Sequence, residues 1–376
     1  MYMILLSIPL FLFSIFWWEV KSDLRKMISI FCIVWLSLFI SFFYLNGNDW
    51  SIYFLSFLGA GEPFSSFEFG FVLLFKSLLY FFSDSFGLSI LSFYFISLSF
   101  LALILYKYKC NAAIFFAFLV LSLGFSLILE QLRQFIACIM VFYSFLNYAY
   151  IRRNYLVWVL GAACFHASAL ITIPIFVLLK TKKDNNFFLF SLFSFVFIFF
   201  GLLFLKPIFS SLSNISFIFA KIDYYLSLSE VEIKLGFLNI LDFVFIFLYN
   251  FKLRSKVVGV DNSLLRMIFI GALIHLLSSS IPLFGRVAYY FYFVLIFYFS
   301  KQPFYLSGYI RKDLLCKYCF FAVFIVLNLA SYFRNPIAPI DFLQLNINTS
   351  YLYNENSGLF DLAQYKFSSS KLEASR

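Results

Sequence analysis

Ionisable side chains interrupt an otherwise apolar stretch between Glu130 and Pro174. Arg133 lies in a Gln-Leu-Arg-Gln cluster near the start of this stretch, and His166 lies near its end. Ionisable groups at membrane depth are costly, and they usually face a water-filled cavity or a partner group. Arg133 and His166 are therefore the first functional candidates, and their chemistry is expected at or within a lipid bilayer.

Each candidate also has a structural interpretation. Glu130 and Arg133 are three positions apart, so on a helix their charges can neutralise each other. His166 could be a buried histidine that bonds a backbone carbonyl. His275 stands alone in an apolar run, and we expect it to have a structural role of this kind.

The composition indicates a membrane protein. Only 12% of the 376 residues are charged and 63% are hydrophobic, whereas soluble chains carry roughly 25% charged residues. Apolar runs of about 17–25 residues, the length that crosses a bilayer, recur along the chain. Because backbone groups in lipid must hydrogen-bond internally and no alternating strand pattern is present, these runs are predicted to be helices. The predicted fold class is an all-α polytopic integral membrane protein with about ten or eleven transmembrane helices.

The positions of lysine and arginine predict the topology. Basic loops are assigned to the cytoplasm, and the predicted external loops are residues 46–67 and 206–235. A simple count of crossings conflicts with this assignment. The conflict disappears if Glu68–Phe82 is re-entrant and Tyr155–Leu179 consists of two half-helices that meet near His166, because irregular backbone at membrane depth is tolerated where it lines a cavity.

The predicted organisation is one multi-span membrane domain over residues 1–334, followed by an external C-terminal tail over residues 335–376. The first apolar segment is interpreted as a retained span, because no basic residues precede it and no cleavage site follows it. Within the domain, a short interfacial helix is predicted over Ser51–Leu58. A tight external turn is predicted at Pro282–Arg286.

Several classes of function are disfavoured. The net charge of +10 comes from short basic loops, so it follows the topology and does not indicate nucleic-acid binding. No P-loop, dinucleotide fingerprint, HExxH or GxSxG motif is present, and nothing suggests ATP coupling. Cys316 and Cys319 form a CxxC without a second pair or a nearby histidine, so neither a metal site nor a cofactor is predicted.

Four short motifs follow one another in the central part of the chain. They are Asn48-Asp49 with Tyr53, Phe67-Glu-Phe-Gly-Phe71, Leu132-Arg-Gln-Phe-Ile-Ala137, and Phe165-His-Ala-Ser-Ala-Leu170 with Pro174. Their types, order and spacing resemble the EpsG family, which groups with Wzy-type O-antigen and exopolysaccharide polymerases. Arg286-Val-Ala-Tyr-Tyr290 is similar to a weaker late element, so the resemblance spans about residues 46–290. Phe69 stands where the family usually has proline.

The resemblance implies an activity and a GT-C-like plan. Such proteins join oligosaccharide repeat units carried on undecaprenyl pyrophosphate, at the external face of the bacterial inner (plasma) membrane. The non-reducing end of one lipid-linked unit is the acceptor, and the lipid pyrophosphate of the other is the leaving group. The implied partners are this lipid-linked oligosaccharide, membrane lipid and a chain-length regulator, and no cofactor is implied.

The resemblance also implies roles for individual residues. Arg133 and Arg286 are the pyrophosphate-binding candidates, because guanidinium groups pair bidentately with phosphate and can stabilise its departure. The candidates for a catalytic role, including that of a base for the acceptor hydroxyl, are Asp49, Glu68 and His166. The candidates for substrate binding through rings and polar groups are Gln134, Trp50, Tyr53, Tyr224 and Tyr290.

These roles compete with simpler ones. Asp49 could cap the helix that follows it, Glu68 could stabilise a helix N-terminus, and Arg286 could be an interface anchor. The alternative functions are an O-antigen ligase, another GT-C glycosyltransferase, or a flippase for the lipid-linked unit. A flippase predicts repeat-related halves, which the sequence does not show.

Overall fold

The apolar stretches form α-helices, and no β-strand occurs among the described residues. The computed structural model describes residues 2–17, 20–47, 49–59, 67–212, 237–250, 259–278, 282–301 and 356–374, with residues 322 and 326. In chain order the helices are α1 (Tyr2–Phe16), α2 (Ser22–Phe43), α3 (Trp50–Leu58), α4 (Phe69–Phe81), α5 (Phe86–Lys107), α6 (Ala112–Leu123), α7 (Leu132–Tyr150), α8 (Tyr155–Ala163), α9 (Ile173–Leu179), α10 (Asp184–Leu212), α11 (Phe237–Leu248), α12 (Gly259–Ser278), α13 (Pro282–Ser300) and α14 (Asn356–Ala374). The predicted all-α fold class is confirmed.

Within the described part of the chain, 5 helices are long and apolar enough to cross a membrane. They cover Ser22–Asn46, Phe86–Lys107, Ala112–Leu129, Leu132–Tyr150 and Gly259–Ser278. Shorter apolar helices cover Met3–Ser14, Phe69–Phe81, Ala167–Leu179, Asp184–Ile198 and Phe284–Ser300. The chain is therefore a polytopic membrane protein. The total of about ten or eleven spans stays a prediction.

The chain divides into two compact units. The first unit consists of Met1–Ile139, Gly161–Ala167 and Phe299–Arg376, and the second consists of Met140–Leu160 and Ser168–Tyr298. The single membrane domain over residues 1–334 stays a prediction.

Aromatic packing joins the helices at the centre of the first unit. In this unit α1 packs against α6, α2 packs against α5 and α6, and α4 packs against α5. The ring centroids of Phe57 on α3 and Phe75 on α4 are 4.8 Å apart, and those of Phe54 on α3 and Phe86 on α5 are 5.2 Å apart. Such ring pairs add to the stabilisation from burial alone. They hold α3 against α4 and α5.

Side-chain caps mark the starts of two of the long helices. Ser85 Oγ accepts the N–H of Leu88 over 3.4 Å at the start of α5. Asn111 Oδ1 accepts the N–H of Ile114 over 3.2 Å at the start of α6. Each cap satisfies a backbone donor that a helix N-terminus leaves without an intrahelical partner. The sequence therefore specifies sharp helix starts after both connections.

Two interruptions of regular helix place polar residues at helix ends. A π-helical turn, Gly124–Leu129, separates α6 from the start of α7; π-helical segments are frequent at functional sites. Helix α8 ends at Ala163, and a 3₁₀ helix, Ala167–Thr172, follows the turn that contains His166. The predicted break near His166 is confirmed, whereas the re-entrant topology stays a prediction.

In the second unit, α11 packs against α12, and α12 packs against α9 and α10. Arg266 on α12 donates to the Asp184 carboxylate and, over 2.6 Å, to the carbonyl of Thr181. The ring of Phe187 lies 4.6 Å from its guanidinium carbon. Because a guanidinium group offers five donors in a rigid plane, this one side chain connects α12 to the start of α10.

The structure corrects two predicted boundaries and confirms a third. Helix α10 continues to Leu212, so residues 206–212 of the predicted loop 206–235 are helical, since apolar residues continue beyond Lys206. The predicted turn at Pro282–Arg286 is the beginning of α13, because proline is favoured in the first turn of a helix. The short helix predicted over Ser51–Leu58 is present as α3.

Candidate functional site

Glu68 and Arg133 form an ion pair in the first unit. Arg133 Nη1 donates to Glu68 Oε2 over 2.6 Å. Glu68 directly precedes α4, and Arg133 is the second residue of α7. Their side chains are 13% and 20% exposed, respectively, so water screens the pair only weakly. The structure thus brings two of the sequence candidates into direct contact.

The carboxylate that neutralises Arg133 in this pair comes from Glu68, whereas helix spacing suggested Glu130. Helix α7 begins only at Leu132. Glu130 precedes this helix, so the helical i, i+3 spacing expected between Glu130 and Arg133 is absent. Instead, Glu130 Oε2 accepts the backbone N–H of Asp49 over 3.2 Å. Glu130 therefore holds the loop that carries Asp49.

The second carboxylate oxygen of Glu68 accepts a hydrogen bond from the break between α8 and α9. The backbone N–H of Ala167 donates to Glu68 Oε1 over 3.2 Å. Burial acts to raise the pKa of Glu68, but the charges of Arg133 and His166 and the N–H of Ala167 outweigh it and hold the pKa below its usual value. Glu68 is therefore ionised at neutral pH. A carboxylate with a lowered pKa is a good anchor for a cation and a weak base.

A close backbone approach positions Glu68 beside this break. The N–H of Gly70 donates to the carbonyl of Cys164 over 2.8 Å. A Cβ atom at Gly70 would lie 2.8 Å from that same oxygen, which is closer than a carbon and an oxygen can approach. Glycine is required here because it has no side chain.

Phe69 follows a backbone conformation that is compatible with proline at its position. Glu68 is extended, with ψ of 140°, and this is the conformation that a following proline imposes. Phe69 occupies the first position of α4, where proline is favoured because its missing N–H is not needed. The chain therefore adopts without proline the turn that proline would enforce.

Arg133 contacts two aromatic side chains, Phe67 and Tyr53. Its guanidinium carbon lies 4.7 Å from the centroid of the Phe67 ring. Burial raises the pKa of the Tyr53 hydroxyl to about 12, a rise that the charge of Arg133 reduces and the charge of Asp49 increases. Arg133 Nε is buried and has no hydrogen-bond partner among the described residues. We name the group formed by Arg133, Glu68, His166, Tyr53 and Phe67 the Arg133 site.

The other sequence candidates of the first unit are more deeply buried. Trp50 and Gln134 are each 0% exposed, and Tyr53 is 3% exposed. The Trp50 ring packs edge-on against Phe54, with centroids 6.2 Å apart. Asp49 precedes α3, but its side chain makes no capping hydrogen bond. The structure therefore does not support the alternative in which Asp49 only caps this helix. The substrate-binding roles of Trp50, Tyr53 and Gln134 stay predictions.

Two further candidates lie in the second unit. Arg286 and Tyr290 are four positions apart on α13, so they lie on one face of that helix. The Tyr290 hydroxyl lies 2.8 Å from the hydroxyl of Ser168, a residue of the Phe-His-Ala-Ser motif. Tyr224 lies outside the described residues. The pyrophosphate-binding role of Arg286 stays a prediction.

The sequence did not indicate two polar contacts that the structure contains. His275 Nδ1 lies 2.6 Å from Asp242 Oδ2 in the second unit, and in the first unit Lys366 donates to the carbonyls of Leu45 and Gly47. In each case the partners are far apart in the chain, and neither Asp242 nor Lys366 belongs to a motif. Asp242, a lone carboxylate in an apolar run, was the available signal for the first contact.

No group of 3 or more histidine, cysteine, aspartate or glutamate side chains lies together in the part of the chain that the structure describes. The expectation that the protein needs no metal stays a prediction. The chemically relevant feature of the Arg133 site is a guanidinium group held by a carboxylate, since guanidinium groups can pair with phosphate oxygens.

Comparison with known proteins identifies one family. A model described as the EpsG family matches residues 26–342, which includes all four motifs and every described member of the Arg133 site. Searches of curated proteins and of solved structures found no match. The GT-C-like plan therefore stays a prediction.

Proposed function

Since this chain belongs to the EpsG family, we propose that it polymerises oligosaccharide repeat units carried on undecaprenyl pyrophosphate into O-antigen or a related surface polysaccharide. The protein acts in this proposal as a multi-pass glycosyltransferase of the bacterial inner membrane, with its site open to the exterior. Its partners are the lipid-linked oligosaccharide, membrane lipid and a chain-length regulator. The observation that carries the proposal is the contact between Arg133 and Glu68.

That contact supports binding of pyrophosphate. Glu68 uses one N–H of the guanidinium group and fixes its plane, and a guanidinium group has five donors in total. Arg133 also hydrogen-bonds the Tyr53 hydroxyl, and its Nε is buried. In the proposal, the donors that Glu68 and Tyr53 leave unused bind phosphate oxygens while the ion pair stays intact. Because the cation is already oriented, it stabilises the negative charge of the leaving group without reorganisation.

The proposed reaction transfers one glycosyl group. The acceptor hydroxyl oxygen forms a bond to the anomeric carbon of the donor sugar. The bond between that carbon and the pyrophosphate oxygen breaks, and lipid pyrophosphate leaves with the electron pair. The hydroxyl proton passes to a base. Asp49 and His166 are the favoured bases, because Glu68 has a lowered pKa and serves to align Arg133.

The test compares Arg133 variants in a strain that lacks the chromosomal gene. We expect Arg133→Ala and Arg133→Lys to replace the polysaccharide ladder on a gel with single-repeat product, because lysine lacks the planar pair of donors. Arg153→Ala is the matched control, since Arg153 is an exposed arginine outside the site, and it should give a normal ladder. A normal ladder from Arg133→Ala would contradict the proposal.

Long polymer retained on the carrier lipid would indicate a ligase, and repeat units that accumulate on the inner leaflet would indicate a flippase.

A further inference from the structure

Helix α14 lies at the C-terminal side of the residues that the family model matches, yet it packs against α3 in the first unit. Its inward face carries Leu359, Ala363 and Lys366, which have helical spacing. Leu359 and Ala363 are 5% and 0% exposed. At the end of α3, a Cβ atom on Gly59 would lie 3.1 Å from the ring of Phe360, so this glycine makes room for the ring.

Lys366 attaches α14 to the loop that carries Asp49. Its ammonium group donates to the carbonyl of Leu45 over 3.0 Å and to the carbonyl of Gly47. It also lies 5.8 Å from the centroid of the Trp50 ring. Burial lowers the pKa of Lys366, and the charge of Glu130 opposes this shift. The helix is thus fixed beside the residues that lead into α3.

An open cleft of about 580 Å³ lies between α3 and α14. It is lined chiefly by Leu55, Phe360, Asp361, Gln364, Tyr365 and Phe367. This volume is within the range of about 300–1,000 Å³ that is usual for small-ligand sites. Tyr365 is 73% exposed, so one face of an aromatic ring is available there, in contrast to the fully buried Trp50.

The chemistry of the lining favours a saccharide. A tyrosine ring offers an apolar face and a polar hydroxyl, and it can cover the C–H face of a sugar. The amide of Gln364 and the carboxylate of Asp361 can each accept hydrogen bonds from sugar hydroxyls. None of the lining residues is lysine or arginine, so the cleft offers no cation for a pyrophosphate or a uronic acid.

We propose that the cleft between α3 and α14 binds a saccharide segment of the substrate, composed of uncharged or amino sugars, beside the loop of Asp49. The identity of this ligand rests on the proposed function, but the site is separate from the Arg133 site. It is built largely from a helix outside the family-matched residues. The ring of Tyr365 supplies stacking, and Gln364 and Asp361 supply orientation.

The direct test measures binding without polymerisation. Full-length protein in lipid nanodiscs is titrated calorimetrically with the oligosaccharide repeat unit, released by mild acid from the surface polysaccharide of the strain that encodes this chain. We expect Tyr365→Ala to raise the Kd about tenfold, which corresponds to ~1.4 kcal/mol. Gln364→Ala should raise it about threefold, and Tyr365→Phe should stay within about twofold because the ring face remains. Leu362→Ala is the matched control on the same helix, since Leu362 is exposed but does not line the cleft.

The companion test measures polymer length in the strain. Tyr365→Ala should shift the ladder to shorter chains, whereas Arg133→Ala should abolish the ladder. Unchanged Kd values in both Tyr365→Ala and Gln364→Ala would overturn the saccharide cleft and leave the polymerase proposal intact. A normal ladder in Arg133→Ala together with weakened binding in Tyr365→Ala would overturn the polymerase mechanism alone. A repeat unit that binds only through uronic acid residues would also overturn the cleft as proposed.

Discussion

Glu68 Oε2 and Arg133 Nη1 are 2.6 Å apart although 65 positions separate the two residues in the chain. The contact joins the start of α4 to the start of α7. Through its other oxygen, Glu68 also accepts the N–H of Ala167. The Glu68 carboxylate therefore connects three of the four motifs. It also orients the guanidinium group of Arg133, to which we assign the binding of pyrophosphate.

The first prediction concerns the coupling of this pair. Glu68→Gln should lower the free energy of unfolding by about 2 kcal/mol, because it removes a hydrogen bond between two charged groups and leaves Arg133 buried without its anion. The double variant Glu68→Gln/Arg133→Met should cost less than the sum of the two single changes. Thermal unfolding in nanodiscs measures all four proteins. Additive effects would show that the two side chains do not interact.

The second prediction concerns pH. The pKa of Glu68 is lowered in the folded protein from the ordinary value of 4.5. Its contribution to stability is therefore complete above about pH 5, and it is lost as the pH falls through the lowered pKa. The difference in melting temperature between wild type and Glu68→Gln should be constant from pH 8 to about pH 5 and should shrink below about pH 4. A difference that grows on acidification would contradict the assigned direction.

The third prediction concerns the approach of α4 to the break after α8. Gly70→Ala should destabilise the protein by about 1–3 kcal/mol, because the new methyl group overlaps the carbonyl of Cys164. It should also reduce polymer formation, since Glu68 must move with the backbone. Gly201→Ala is the control. A Cβ atom at Gly201 has no neighbour within 4 Å, so alanine in this helix should be neutral or stabilising by up to ~1 kcal/mol. Equal effects of the two changes would refute the steric argument.

The fourth prediction separates a functional arginine from a structural one. Arg266 donates to Asp184 and to the carbonyl of Thr181, so Arg266→Lys should lower the free energy of unfolding by about 1–3 kcal/mol. The folded fraction of that variant should still give polymer of normal length. Arg133→Lys should do the opposite, with stability changed by less than about 1 kcal/mol and the ladder lost. The measurements are thermal unfolding and the gel ladder, and exchanged outcomes would reverse the two assignments.

Much of the candidate site was predictable, but its internal contacts were not. Arg133 and His166 could be selected from the sequence because ionisable residues in apolar runs are costly, and Asp49 and Glu68 could be selected because their motifs resemble those of the EpsG family. The partner of Arg133 was not predictable, since helix spacing favoured Glu130 and the actual start of α7 at Leu132 removes that geometry. Likewise, Trp50 and Tyr53 suggested sugar-stacking rings, whereas folding buries both of them and leaves Tyr365 exposed.

The sequence by itself determined the membrane class, the helical content and the family, because hydropathy, backbone hydrogen bonding in lipid and short motifs are local properties. It also determined the break near His166. Only the tertiary structure decided that Glu68 pairs with Arg133, that Gly70 must approach Cys164, and that Lys366 fastens α14 beside Asp49. The physical reason is that these contacts join residues that are distant in the chain, and their distances depend on how α3, α4, α7 and α14 pack. Hydrophobic patterning specifies that apolar faces are buried, but it does not specify which charged side chains meet when they are.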